Sequence, residues 1–253
     1  MKVSIITTSW NSEDTILDTI TSVNDQAYAN IEHIVVDGGS IDGTLALISQ
    51  HGNRVREIIS EDDDGVYDAM NKGLSMATGD IIGFLNSDDV LASKDVISNI
   101  VQEFKRTGAD AVYGDLEYVS RLNLNKNIRF WRAGFANRKR MLNGWMPPHP
   151  TFYIKRELPD RFGGFDLNYK ISADYDAIIR YLFANGARAE YLSKTLVLMR
   201  VGGLSNKSLS NIFQKTVEDY RILSSHGLNP LRGIVGKNIR KIPQFFLKRP
   251  PLN

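Results

Sequence analysis

The N-terminal third of the chain alternates short apolar runs with segments whose apolar residues recur at helical spacing. Residues 3–8 form the first run, and residues 16–23 then carry apolar side chains three and four positions apart. Two further runs, residues 31–36 and 55–60, are each followed by a helical pattern. Strands that alternate with helices predict a parallel sheet with right-handed crossovers.

The fourth apolar run, residues 81–85, leads into the motif LNSDD, which ends at Asp89. Ligands of an open parallel sheet bind beyond the carboxyl ends of its strands, so Asp88 and Asp89 are expected to face a pocket. A divalent cation bridging both carboxylates to phosphate oxygens would relieve their repulsion, and oxygen ligands favour Mg²⁺ or Mn²⁺. The structural alternative makes Asp88 the N-cap of a helix that runs through Val96.

Beyond Asp89 the alternation of strands and helices weakens. The pattern predicts a helix over 96–104, a strand over 111–113, a hairpin-like excursion over 116–130, a strand over 152–154, a helix over 174–183 and a strand over 196–201. From about Ser208 onward the pattern is helical. The second half of the sheet is therefore expected to be mixed in strand order.

Composition narrows the class of protein. The chain has 253 residues, 42% hydrophobic and 24% charged, enough for one large α/β domain with a small appendage. No stretch reaches the roughly 18 apolar residues that span a bilayer. A net charge of +2 is too small for a general nucleic-acid binder. The absence of cysteine excludes disulfides and thiolate metal sites and is consistent with the cytoplasm.

Basic residues accumulate near the C-terminus. No acidic residue follows Asp219, whereas seven basic residues do, interleaved with isoleucine, valine and phenylalanine. They are Arg221, Arg232, Lys237, Arg240, Lys241, Lys248 and Arg249. This composition suits peripheral contact with an anionic surface, such as the inner face of the cell membrane. A solvated helix packed on its own domain is the equal alternative.

The motif DGGSIDGT, from Asp37 to Thr44, places an acid at a strand end, followed by two glycines and a helix start. Glycines allow close backbone approach and a helix N-terminus is partly positive, so the motif suits a nucleotide. A plain tight turn is the structural alternative. The pattern GxGxxG is absent, which argues against a dinucleotide cofactor.

The order of these motifs resembles that of the family 2 glycosyltransferases, which are inverting enzymes of the GT-A fold. The likeness is carried by VSIITTSWN, VVDGGSIDGT, EDDDGVYDAMNKGLSMATGDIIGFLNSDD, HPTFYIKRE, GGFD and SADYDAIIR, and covers about residues 1–205. It implies a Rossmann-like, mostly parallel mixed sheet flanked by helices. The nucleotide-binding half would occupy about 1–110 and the acceptor half about 111–205. Residues 206–253 would form a helical basic extension.

The resemblance also implies roles for individual residues. Thr7, Thr8 and Asp37 fall where the family holds its nucleotide, usually uridine diphosphate (UDP), and Asp64 and Lys72 lie in the segment that flanks it.

The motif LNSDD matches the metal motif of the family, which implies that Asp88 contacts the ribose and that Asp88 and Asp89 contact the cation. Two positions depart from the family pattern. Gly38 replaces the second acid of the commoner DDGS form, and Asn86 stands where many members have the first Asp of a D-x-D triplet.

Inversion requires a base near the acceptor and away from the metal. Asp174 corresponds to the Asp of the family's ED motif and is the predicted base. Asp176 is expected to be a structural first-turn acid, and Asp166 to orient its loop or touch the acceptor. For His149 and Arg200, substrate contact and a structural role both stay open.

A basic and aromatic patch over residues 129–140 suits an acceptor linked to a lipid diphosphate, because rings stack on sugars and guanidinium groups bind phosphates. A solvated loop is the alternative. The chain is thus predicted to be a metal-dependent inverting hexosyltransferase that uses a UDP-sugar and forms a β linkage. Its product would belong to a bacterial surface polysaccharide such as the O-antigen of lipopolysaccharide. The alternatives are a sugar-phosphate nucleotidyltransferase and a non-catalytic sugar-nucleotide or glycan-binding protein.

Overall fold

The structure is a computed structural model that describes residues 1–202 and 209–246. Its strands are β1 (Val3–Ser9), β2 (Ile31–Asp37), β3 (Val55–Ser60), β4 (Ile81–Phe84), β5 (Asp89–Leu91), β6 (Ala111–Ser120), β7 (Asn123–Trp131), β8 (Tyr153–Lys155) and β9 (Ala189–Arg200). Its helices are α1 (Ile16–Asn24), α2 (Thr44–His51), α3 (Val66–Met76), α4 (Val96–Thr107), α5 (Arg138–Met141), α6 (Glu157–Phe162), α7 (Ala173–Ile179), α8 (Leu209–Ser225) and α9 (Pro230–Ile239).

The first four strands form the parallel part of the sheet, in the order β3-β2-β1-β4. Val3 of β1 pairs with Ile31 of β2 on one side and Ile81 of β4 on the other. Every residue of β1 is buried, as expected for a central strand with helices on both faces. The predicted parallel sheet is confirmed, and its strand ends meet at one edge.

The second half of the sheet is mixed, as predicted. β8 runs antiparallel between β4 and β6, and β9 returns parallel to β6. β5 pairs antiparallel with β9, and β7 forms a hairpin with β6. Because β6 and β9 point the same way as the first four strands, the sheet stays mostly parallel. The expected α/β class, with a mostly parallel sheet flanked by helices, is confirmed.

Two local predictions require correction around LNSDD. The short strand β5 begins at Asp89, the last residue of the motif, and was not among the predicted strands. Helix α4 begins at Val96 and has Asp95 as its N-cap residue, so the alternative that made Asp88 its N-cap is wrong. The strand went unnoticed because it is short and its partner, β9, is about one hundred residues away in sequence.

The C-terminal helices pack on the domain. Ile222, Leu223 and Leu228 are buried in the same hydrophobic cluster as the strands. Helix α9 approaches the loop after α5 at backbone contact, because a Cβ at Gly236 would lie 2.2 Å from the carbonyl oxygen of Asn143. Of the two alternatives for this segment, packing on its own domain is what the structure shows for its described part.

The proposed boundary near residue 205, together with Lys248 and Arg249, lies outside the described residues. The division into two halves and an extension therefore stays a prediction. Within residues 1–202 and 209–246, no helix has the length and apolar character needed to cross a bilayer.

Candidate active site

A cleft of about 1420 Å³ opens where β1 and β4 end. Its walls come from the loops that follow these two strands, the start of α7, the β6–β7 hairpin, and helices α8 and α9. The position agrees with the expectation that ligands bind beyond the carboxyl ends of parallel strands.

One end of the cleft is formed by the last residues of β1 and the residue that follows them. Thr8, Ser9 and Trp10 line it together with Asp63, which comes from the loop before α3. The ring of Trp10 is 67% exposed, which is unusual for a tryptophan and leaves a flat apolar surface at the cleft. Neither Trp10 nor Asp63 was singled out from the sequence, although an aromatic residue directly after a buried strand was the available signal.

The structure separates Thr7 from Thr8. Thr8 lines the cleft, whereas Thr7 is fully buried and its hydroxyl lies 2.8 Å from Nε2 of His33. Thr7 lies inside β1, paired with Val35 of β2, whereas Thr8 and Ser9 are the last residues of the strand and reach the cleft. The side chain of Thr7 therefore does not reach the site, contrary to expectation.

Asp37 is fully buried and its carboxylate is engaged inside the protein. Its oxygens accept hydrogen bonds from the hydroxyls of Ser9 (2.9 Å), Ser40 (2.6 Å) and Ser60 (2.8 Å), and from the backbone N–H of Ser40 (2.8 Å). It does not line the cleft. Its described contacts hold together the ends of β1, β2 and β3, so the expected contact with a nucleotide is not among them.

The glycine that departs from the family pattern is explained by its neighbour. A Cβ on Gly38 would meet Oδ2 of Asp63 at 2.6 Å and the ring of Trp10 at 3.6 Å. The carboxylate of Asp63 therefore occupies the space in which a side chain at position 38 would begin. An acid is present at this place, but it is supplied by the loop before α3.

Asp64 and Lys72 lie beside this loop and outside the cleft lining. Asp64 is exposed, and its backbone N–H donates to Asp68 at 3.2 Å. The ammonium group of Lys72 lies 2.9 Å from Glu61 and 3.3 Å from Asp68, and donates to the carbonyl of Asp62 at 3.1 Å. Lys72 thus holds the acidic loop in place, and neither Asp64 nor Lys72 lines the cleft.

The two carboxylates of LNSDD have different environments. Asp88 is half-buried and lines the cleft beside Asn86 and Ser87. Asp89 is fully buried; it is the first residue of β5 and pairs with Met199 of β9. The expectation that both carboxylates face the pocket is therefore wrong for Asp89.

The carboxyl group of Asp89 still interacts with the carboxylate of Asp88 through its charge. Burial, followed by the charge of Asp88, raises the pKa of Asp89 well above its ordinary value. One of its carboxylate oxygens, Oδ1, has no hydrogen-bond partner among the described residues, and the other accepts from Asn86 at 3.4 Å. The carboxyl group of Asp89 is therefore close enough to that of Asp88 to feel its charge.

Arg200 fixes the loop that carries Asp88. Its guanidinium is buried and donates to the backbone carbonyls of Asp88 (2.8 Å) and Arg121 (3.1 Å), and it forms an ion pair with Asp18. All these contacts are within the protein, so the described role of Arg200 is to position the loop.

Asp174 is the second carboxylate that faces the cleft from a fixed position. It lies in the first turn of α7, and its Oδ1 is 3.1 Å from the hydroxyl of Tyr67. Burial, together with the charge of Asp174, raises the pKa of Tyr67 well above its ordinary value, so the phenol stays protonated and can donate. His149 lines the same wall, and burial lowers its pKa although Asp174 opposes the shift.

The backbone ahead of Asp174 is held by a residue that sequence reasoning missed. Glu218, on α8, accepts hydrogen bonds from the backbone N–H groups of Lys170 (3.0 Å), Ile171 (2.9 Å) and Ser172 (2.9 Å). It is 4% exposed. These N–H groups would otherwise remain unpaired at the start of α7. The C-terminal helices therefore complete the site.

The neighbouring acids have structural contacts. The carboxylate of Asp176 lies 2.9 Å from Arg180 and 2.8 Å from Nε2 of His226. Burial alone would raise the pKa of Asp176, but these two partners lower it, so the group is held as a carboxylate. Asp166 accepts from the backbone and side chain of Asn168 at 2.9 and 2.8 Å and does not line the cleft.

The cleft is electrically uneven. Among its described lining residues, ten are basic and four are acidic. The acids are Asp14, Asp63, Asp88 and Asp174, and the bases are Arg121, Arg129, Arg132, Arg140, Lys170, Arg200, Lys215, Lys237, Arg240 and Lys241. The cleft as a whole therefore favours a ligand with several negative charges.

Comparison with known proteins places these features in a family. The family model described as Glycosyl transferase family 2 matches residues 4–163. An uncharacterized glycosyltransferase of Mycobacterium tuberculosis is 35% identical over 179 residues, which are 70% of this chain and 68% of that protein. A PGL/p-HBAD biosynthesis glycosyltransferase of Mycobacterium bovis is 31% identical over 218 residues, which are 84% of this chain and 82% of that protein.

Solved structures show the same architecture. S. aureus TarS 1–349 in complex with UDP-GlcNAc superimposes with a TM-score of 0.70 at 19% identity, over 94% of this chain and 70% of that one. The mannosyltransferase PcManGT from Pyrobaculum calidifontis, in complex with GDP-Man and Mn²⁺, gives a TM-score of 0.66 at 18% identity, over 94% and 68% of the two chains. Together these likenesses establish the GT-A fold.

Proposed function

Because the chain belongs to glycosyl transferase family 2, we propose that it transfers a hexose from a UDP-sugar, with inversion, to a lipid diphosphate-linked glycan acceptor. One observation carries this proposal. Asp88 and Asp174 line the same cleft but come from different parts of it, the end of β4 and the start of α7. An inverting transfer requires this separation between the leaving-group side and the base.

The place of the reaction in metabolism is inferred from relatives. The putative teichuronic acid biosynthesis glycosyltransferase TuaG of Bacillus subtilis is 41% identical over 90 residues, which are 34% of this chain and 36% of that protein. Together with the mycobacterial relatives, it supports a role in building a bacterial surface polysaccharide or glycolipid. The O-antigen of lipopolysaccharide is one such product.

In the proposed reaction, the acceptor hydroxyl attacks the anomeric carbon from the face opposite the diphosphate. The new carbon–oxygen bond forms as the bond to the diphosphate breaks, and UDP leaves with the bonding electrons. Asp174 takes the hydroxyl proton. The hydroxyl of Tyr67 lies 3.1 Å from Oδ1 and 2.9 Å from the carbonyl oxygen of Ile171, so its single proton is shared between these two acceptors. An α-linked donor then gives a β-linked product.

The residues at the end of β4 fit a metal carried by the substrate. Among the described residues, no three His, Asp or Glu side chains are arranged to hold a metal alone. Asp88 lines the cleft beside Asn86 and Ser87, and Mg²⁺ is commonly bound by one or two carboxylates plus substrate phosphates. When bound, Mg²⁺ or Mn²⁺ would neutralise the charge that develops on the departing diphosphate.

For the nucleotide, we propose that Asp63 replaces the acid that Gly38 cannot supply. Its Oδ2 occupies the space above Gly38, next to the exposed ring of Trp10. A carboxylate beside an aromatic surface can accept hydrogen bonds from a base or ribose while the ring stacks on the base. Thr8 and Ser9 line the same end of the cleft.

A peripheral membrane contact is part of the proposal. On the outer side of α9 and the turn that follows it, Leu231, Val235, Ile239 and Ile242 are exposed and recur four, four and three positions apart. This spacing forms one apolar ridge. Exposed apolar side chains on a basic segment suit the boundary of an anionic membrane, where a lipid-linked acceptor is found. The ridge, rather than the basic residues that turn into the cleft, would supply most of the attraction.

The first prediction concerns the base. Asp174→Asn keeps the shape of the side chain and loses its basicity, so transfer should fall about a hundredfold or more while affinity for UDP with Mn²⁺ stays near wild type. Product formation and calorimetry measure the two quantities. Asp166→Asn is the matched control and should retain most of the activity. If Asp174→Asn also loses UDP, or keeps most of the rate, the assigned base is wrong.

The second prediction concerns the metal. Without a cation, the negative charges of the UDP diphosphate and of Asp88 repel each other. Removing Mg²⁺ and Mn²⁺ with EDTA should therefore abolish UDP binding in calorimetry. Restoring Mn²⁺ should restore it. Asp88→Ala should lose the metal dependence and nearly all transfer. Unchanged turnover in EDTA would refute the metal assignment.

The third prediction separates two adjacent acids. Asp63→Asn should weaken UDP binding about tenfold, as expected for the loss of a charged hydrogen bond worth ~1.5 kcal/mol. Asp64→Asn changes the same charge in the same loop, but on an exposed side chain outside the cleft, and should alter the affinity less than about twofold. Equal losses in the two variants would mean that the loop acts only through its net charge.

The fourth prediction concerns the membrane. The double variant Val235→Asp, Ile239→Asp places two charges on the ridge and should release the protein from sedimenting phosphatidylglycerol vesicles. The double variant Ile41→Asp, Leu122→Asp is matched in net charge, because it adds two aspartates at exposed positions outside the ridge. It should leave vesicle binding within about twofold of wild type. Equal binding by both variants would dismiss the ridge as a membrane contact.

A further inference from the structure

The part of the cleft formed by the C-terminal helices carries basic residues without acidic partners. Arg140 from α5, Lys215 from α8, and Arg240 and Lys241 from the end of α9 line it, and are called here the cation cluster. All four are half-buried. Among the described residues, no carboxylate lies within ion-pair distance of any of them.

Lys237 is a cation in the same region that has both an acidic and an aromatic partner. Its ammonium group lies 2.8 Å from Asp219 and 3.8 Å from the ring centroid of Tyr175. By contrast, Nε of Arg240 is buried and has no hydrogen-bond partner among the described residues. A buried donor without an acceptor is costly, more so on a charged group. The cluster therefore contains one buried donor without an acceptor, at Arg240, whereas Arg140 already donates to the carbonyls of Ala133 and Phe135.

The members of the cluster also repel one another. Burial, then the charges of Lys215 and Lys237, lowers the pKa of Lys241 to about 8. Burial, then the charge of Arg240, lowers the pKa of Arg140. Cations are thus gathered closely enough to weaken each other's charged forms. An anion placed among them would offset the repulsion and accept the unpaired N–H.

We propose that the cation cluster is a binding site for a phosphate or diphosphate ester on the acceptor, separate from the site of the donor diphosphate. This inference rests on the proposed function, and it adds where the acceptor is held and by which groups. Guanidinium groups bind phosphate oxygens in pairs, and an ammonium adds a compact charge, so the cluster offers both modes.

The location of the cluster favours the acceptor over the donor. Asp63 and Asp88, which mark the donor end, come from the loops that precede α3 and β5. The cluster comes from α5, α8 and α9 and is joined to Asp174 through α8, because Glu218 lies three residues from Lys215 and holds the backbone ahead of the base. An anion held there lies on the side of the base, where the acceptor hydroxyl must approach.

The test uses a synthetic acceptor, GlcNAc joined through a diphosphate to a decyl chain, and the same sugar joined to decanol without phosphate. The double variant Arg240→Gln, Lys241→Gln should bind the diphosphate probe at least tenfold more weakly than wild type. Binding of the phosphate-free probe, and of UDP with Mg²⁺, should change less than twofold. Arg56→Gln, Lys105→Gln removes the same charge from exposed residues outside the cleft and should change none of the three.

Four outcomes would overturn the proposal. An equal loss of UDP affinity would place the donor diphosphate at the cluster. An equal loss of both probes would show that phosphate is not what the cluster recognises, and no loss of either would leave it without a ligand. If the variant loses phosphatidylglycerol vesicles but keeps the diphosphate probe, the cluster serves lipid headgroups instead, which also refutes the proposal.

A control for folding keeps the test decisive. The variant Arg240→Lys, Lys241→Arg retains the charges and should keep the probe within about threefold of wild type, with an unchanged thermal midpoint. Probe binding is measured without a sugar donor, so it remains informative even if no UDP-sugar is turned over. Failure of the proposed transfer and failure of this site are therefore distinguished.

Discussion

The site depends on one buried carboxylate that lies outside the cleft lining. Glu218 accepts the backbone N–H groups of Lys170, Ile171 and Ser172, immediately ahead of Asp174. Buried N–H groups require partners, and a charged acceptor shared among three of them fixes the backbone more firmly than neutral hydrogen bonds would. The same backbone carries Ile171, whose carbonyl receives the hydroxyl of Tyr67 at 2.9 Å. Helix α8 is therefore part of the framework that positions Asp174, although the family model ends at residue 163.

The sequence was sufficient wherever a signal was local. Buried strands followed by helical patterns predicted the parallel half of the sheet, and the rule that ligands bind beyond strand ends predicted that Asp88 would lie at the cleft. The family resemblance, confirmed by the comparisons, placed Asp174 in the same cleft. The catalytic and binding roles of these residues remain predictions. Their positions agree with those roles. These positions were predictable because each residue lies next to a strand end or a helix start that the neighbouring sequence indicates.

Direction and partnership could not be predicted in the same way. Thr7 and Thr8 are adjacent, yet only one faces the cleft, and the same holds for Asp88 and Asp89. Which member of each pair points outward is decided by strand register, and for Asp89 the register is set by β9. Asp63 filled the place left by Gly38 through a contact between two loops. No local sequence pattern predicts such a contact.

The basic C-terminal segment shows how a correct observation can leave the conclusion open. Its excess of charge was evident from the sequence, but the backbone contact at Gly236 decides which side chains turn inward. Glycine at this position lets α9 lie against Asn143, and that orientation directs Lys237, Arg240 and Lys241 into the cleft while Val235 and Ile239 face outward. Helix α9 and the residues at its end thus present an apolar surface on the outer side and a cationic surface on the side of the cleft. An acceptor with a lipid chain and a diphosphate has the same two parts, so one docked helix can serve both.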